Sequence, residues 1–197
     1  MATKRPKTSP KKGLADPRKA AIDAALALAA RRDWGNVTLA DIARGAKLSL
    51  SQLSQMFECR EDIVVAYERR VDADVLASYS GSGSERDQVF DILMERFERL
   101  NADRAAVLSI LKASCTDPKQ LVIGMPNVAR SMAWMLEACG VETQGWRGAL
   151  RVAGVTGVYA WTLRSWRDDD TRDMAKTMAT LDRALGRMEQ VANTLSL

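Results

Sequence analysis

The chain contains no histidine, and its three cysteines, Cys59, Cys115 and Cys139, are odd in number and far apart. These absences exclude a Cys/His metal site and argue against a disulfide framework, so three free thiols in a reducing cytoplasm are expected. Nor is any nucleophile motif recognisable. The acidic cluster Asp168-Asp169-Asp170 stands where a helix would start, and capping explains it, so neither an enzyme nor a bound cofactor is expected. Ser80-Gly81-Ser82-Gly83-Ser84 has no strand before it and reads as a connector, not a phosphate loop. Long apolar runs are lacking too. The longest candidate, residues 149–163, is interrupted by Arg151 and is too short for a membrane span, and no secretory segment follows the basic N-terminus.

What is present suits a soluble helical protein. Hydrophobic residues make up 47% of 197, enough for a substantial core. Net charge is +4, unevenly spread: residues 1–70 hold 14 basic and 8 acidic side chains, a balance of +6, and the remainder balances at −2. That asymmetry fits a phosphate-binding head on a different kind of body. It fits equally a basic tail kept for solubility, since Lys4, Arg5, Lys7, Lys11 and Lys12 supply much of it.

No β-alternating segment of useful length appears, so the fold is expected to be all-α, with about nine helices. Residues 1–15, with two prolines and little to bury, read as a disordered basic arm. Asp16 and Pro17 cap a first helix over residues 17–32 that buries Ile22, Leu26 and Ala29. Thr38 with Asp41 makes a capping-box pair opening a second helix, whose stripe is Leu39, Ile42, Ala43 and Ala46. After a Lys47-Leu48 turn, Ser49 with Gln52 repeats the pattern and opens a third helix to about Met56. Its buried positions are read as Leu50, Leu53 and Phe57. A fourth helix spans residues 60–79. Five more are expected over about 85–101, 103–115, 118–139, 145–165 and 171–194, with Pro126 kinking or splitting the third of these.

The second and third helices form a helix-turn-helix. Ser51, Gln52, Ser54 and Gln55 lie on the face opposite the buried stripe, where short hydroxyl and amide groups suit base edges or phosphates. Lys47 and Arg60 flank that face with positive charge. A solvated helix face would show the same polarity. Thr38-Leu39-Ala40-Asp41-Ile42-Ala43, Leu48-Ser49, Leu53, Phe57 and Arg60-Glu61-Asp62-Ile63 together resemble the TetR family of bacterial repressors, closely over residues 18–70. The resemblance implies DNA contacts at Thr38, Lys47, Ser49, Ser51, Gln52, Gln55 and Arg60. Ser51 stands where the family usually has Gly, and Ser54 where it has an aromatic that touches DNA.

The resemblance further implies a head over residues 16–79 and a ligand-binding and dimerisation body over residues 80–197. The partners it implies are double-stranded DNA, an apolar or amphipathic small molecule and a second copy of the chain. Phe97, Leu108, Leu111, Met132, Trp134, Met135, Tyr159 and Trp161 are candidates for the effector cavity, with plain core as the alternative. Gly154 and Gly157, with Met178, Leu181, Leu185 and Met188, are candidates for a dimer face built from the last two helices. Residues 158–170 and 177–185 are also similar to the TetR-like lipid-binding proteins of ubiquinone biosynthesis. Those keep the fold, bind an isoprene lipid and do not regulate genes, which supplies the alternative function.

Overall fold

A computed structural model describes residues 16–116 and 118–195, and among them every regular element is helical. The helices are α1 (Pro17–Ala29), α2 (Leu39–Gly45), α3 (Leu50–Ser54), α4 (Arg60–Ser78), α5 (Glu85–Ala102), α6 (Arg104–Thr116), α7 (Pro118–Ala138), α8 (Gly145–Arg167) and α9 (Ala175–Leu195). A single 3-10 turn, Trp34–Asn36, sits between α1 and α2. The expected arm at residues 1–15 and the side chain of Cys115 lie outside what is described; Cys59 and Cys139 are unpaired thiols.

Local signals place most helix starts. The Asp16 side chain accepts from Arg18 N at 3.0 Å, Thr38 and Ser49 each form a complete capping box, and Ser84 does the same for α5 with Asp87. Two boundaries differ from expectation by more than two residues. α1 stops at Ala29, short of Arg32, because Asp33 caps the 3-10 turn by accepting from Gly35 N at 2.8 Å. α9 begins at Ala175, after Asp169 has gathered the N–H and hydroxyl groups of both Thr171 and Thr177. Burial pushes the Asp169 carboxyl up, but those four hydrogen bonds outweigh it and hold the group well below the usual range. Pro126 lies inside α7 without dividing it.

α1 packs against α2, α4 and α6, α4 against α5 and α7, and α8 lies along α9. One continuous core runs from Ala21, Ile42, Leu53 and Phe57 in the head to Ile92, Phe97, Met132, Val155 and Leu181 in the body. Within it a polar network survives because its members satisfy one another. Arg96 is buried, donates from Nε to Asp72 Oδ1 at 3.0 Å and from Nη1 to the Tyr159 hydroxyl, while Asp72 Oδ2 accepts from Ser131. Among the described residues no helix is long and apolar enough to cross a membrane, and no group of side chains could hold a metal ion.

Candidate functional site

The α2–α3 turn is closed by backbone alone. Leu48 N donates to Ala43 O at 2.9 Å and Lys47 N to Arg44 O at 3.2 Å, the paired bonds of a Schellman motif. That closure puts Lys47 in the left-handed region, at φ 58°, where glycine is the usual occupant. The chain accepts the strain and gains an exposed cation at the turn.

α3 presents a polar face outward. Leu53 anchors it in the core, while Ser51, Gln52, Ser54 and Gln55 are exposed. Gln52 Oε1 accepts from Ser49 N at 2.9 Å, so its amide NH2 remains as the donor available to a base edge. Ser49 Oγ accepts from Gln52 N at 3.1 Å, and the Ser54 hydroxyl donates back to Ser51 O at 3.0 Å. Leu50, expected to be buried, is instead 55% exposed beside these groups, because a five-residue helix turns only one narrow face inward. An apolar group there suits a thymine methyl.

Asp41 offsets part of the positive charge around this face. Thr38 donates to Asp41 Oδ2 at 2.8 Å, and Arg32 and Arg44 pair with the same carboxylate at 2.7 and 3.2 Å. The Thr38 hydrogen bonds hold the Asp41 carboxyl down at about 2. Arg60, expected beside a phosphate, departs most from its expected place. Its Nη1 donates to Val37 O at 2.7 Å, Trp34 O at 2.8 Å and Gly35 O at 3.3 Å, and its guanidinium lies 5.5 Å from the Trp34 ring centroid. It clasps the α1–α2 connector, adding a charged donor to the carbonyls of Gly35 and Val37 and a second donor to that of Trp34, which also accepts from Val37 N at 3.1 Å.

In the body, a cavity of about 380 Å³ lies between α4, α6, α7 and α8. Of the expected lining residues, Leu111 and Tyr159 line it. Phe97, Met132 and Met135 are solid core, with Phe97 stacked on Tyr159 at 5.1 Å, and Leu108 packs against that core. Trp134 is exposed and edges an adjoining cleft of about 360 Å³ between α4 and α7; Trp161 is exposed on the outer side of α8. The wall instead comes largely from Val64, Val65, Glu68, Met125, Val128 and Leu163, and it reaches the head at Trp34 and Glu61. α4 is covered on several sides, so its apolar residues form no single stripe that would mark these positions in the sequence.

The expected dimer residues divide. Leu181 and Leu185 are buried within the protomer, and a Cβ on Gly154 would meet Met188 Sδ at 3.1 Å, so these four are engaged inside one chain. Gly157 and Met178 remain open. On α8, Trp146, Leu150, Ala153, Gly157 and Trp161 recur at intervals of three or four and form one exposed apolar stripe.

No family model and no curated protein matches the chain. Solved structures do. A TetR transcriptional regulator from Nitrosomonas europaea ATCC 19718 superposes with a TM-score of 0.72 at 21% identity, covering 89% of this chain and 99% of that one. One from Rhodococcus sp. RHA1 gives 0.68 at 18% identity over 87% and 95%, and one from Streptomyces coelicolor gives 0.60 at 15% over 91% and 82%. The protein therefore has the fold of the TetR-family transcriptional regulators.

Proposed function

We propose that the protein is a ligand-responsive, homodimeric transcriptional regulator that represses by occupying a palindromic operator. The observation that carries this reading is the capped α3, with Ser51, Gln52, Ser54 and Gln55 exposed on a head of helix-turn-helix form. In it, Gln52, Gln55, Ser51 and Ser54 meet base edges, with Leu50 against a thymine methyl, while Thr38, Lys47 and Ser49 meet phosphates. The α8 stripe pairs with its copy, setting two heads on two half-sites.

Release follows from where the cavity ends. Trp34 lines it, and Trp34 N donates to Ser109 Oγ of α6 at 2.9 Å, while Ser109 donates to Arg32 O at 3.2 Å. An apolar or amphipathic occupant that displaces Trp34 moves the connector held by Arg60, and so favours a different head placement.

Fluorescence anisotropy on the DNA upstream of the protein's own gene, at two salt concentrations, tests this. Saturable binding that weakens steeply with salt is expected. Absence of binding at low salt, with a lipid retained in native mass spectrometry, refutes it and supports the lipid-binding alternative.

A further inference from the structure

The cavity wall is apolar except at a few points, and Glu68 is the unusual one. It lines both the cavity and the adjoining cleft, and its carboxylate forms no hydrogen bond or ion pair among the described residues. A carboxylate facing an apolar space without a partner is costly unless something arrives to compensate it.

Nearby charge among the described residues does not supply that compensation. On α4, Asp72 is taken by Arg96 and Ser131, and Glu61 stands at the head end of the cavity. From α5, Arg96 acts on Glu68, but its charge is already matched by the buried pair with Asp72. Arg69 and Arg130 line the cleft and Arg164 and Arg167 the cavity, all four of them solvent-exposed, and the Tyr159 hydroxyl accepts from Arg96. Among the described residues α6 contributes Ile110, Leu111 and Ser114. The inner cluster of Arg96, Asp72 and ionised Glu68 thus carries one uncompensated negative charge.

We propose that this cavity takes an apolar ligand bearing a single positive charge, with Glu68 as its counter-ion. The inference rests on reading the cavity as the effector site. A monocation brings the cluster to neutrality with Glu68 ionised, a neutral ligand leaves Glu68 to remain protonated, and an anion adds repulsion. Burial disfavours the charge and holds the Glu68 carboxyl above its ordinary range.

Isothermal titration calorimetry on the full chain tests this with three ten-carbon probes below their micelle concentrations: decyltrimethylammonium, 1-decanol and decanoate. The ammonium is expected to bind tightest, and Glu68→Gln to weaken it by roughly tenfold or more while leaving 1-decanol unchanged. Because the ammonium has a fixed charge, its affinity for the native protein should rise with pH as Glu68 ionises, whereas 1-decanol should show no such slope. Equal or tighter binding of decanoate, or an ammonium affinity indifferent both to pH and to Glu68→Gln, overturns the proposal. The DNA assay above is independent: DNA binding without ammonium binding removes only this inference, and the reverse removes only the regulator.

Discussion

Arg60→Ala separates a structural clasp from a phosphate contact. Nη1 makes two close hydrogen bonds, to Val37 O and Trp34 O, and a longer one to Gly35 O. Bonds to a charged donor contribute about 1.5–3 kcal/mol each, and the side chain is a quarter exposed, which weakens them. Losing them, with the contact on Trp34, should cost about 2–3 kcal/mol, or roughly 4–12 °C in Tm for a chain this size. Thermal unfolding by circular dichroism reads the loss, and Trp fluorescence reads the loosening around Trp34. Arg60→Lys keeps a charged donor but loses the planar guanidinium over the Trp34 ring, so it should lose about half as much. A phosphate contact behaves otherwise: Arg60→Ala would then melt like the parent and only weaken DNA binding. That result refutes the clasp.

Three further outcomes are expected. Lys47→Gly relieves the left-handed strain and should stabilise the head by about 1 kcal/mol in denaturant unfolding, while DNA affinity falls and the salt slope drops by roughly one. Removing residues 1–15 deletes Lys4, Arg5, Lys7, Lys11 and Lys12, and should flatten the salt dependence of DNA binding. The pH dependence of stability should show opposite signs at two sites. Asp41 is held at about 2 against an ordinary 3.8, so its contribution is present above about 3.8 and is lost as pH falls toward 2. Glu68 is raised, so the unfolded chain loses that proton first and stability declines as pH rises from the ordinary carboxylate value toward the raised one; Glu68→Gln should remove that decline in pH-dependent melts.

The head was legible because its signals are local. Thr38 with Asp41 and Ser49 with Gln52 lie within one turn of each other, and their spacing alone dictates who caps whom. What escaped reading depends on distant partners. Arg60 meets carbonyls more than twenty residues away, in and just after a 3-10 turn that helical periodicity does not announce. Leu50 looked like a core residue because it is apolar, yet a helix of five residues buries little beyond Leu53. In the body, periodicity found the helices but could not say which apolar face meets which neighbour. Leu181 and Leu185 therefore proved internal, and Trp161 proved external. Glu68 carried no sequence signal at all, since its meaning comes from the cavity it faces and from the Arg96–Asp72 pair behind it.

The central claim is that the exposed face of α3 docks on DNA, and Gln52→Glu tests it most directly. A glutamate at that position retains the capping oxygen for Ser49 N, so the helix and its Tm should persist, while the amide donors are replaced by a negative charge. Anisotropy on the upstream DNA should then show loss of specific binding by an intact protein. Binding equal to the parent's would contradict the account, because it would place the recognition surface elsewhere.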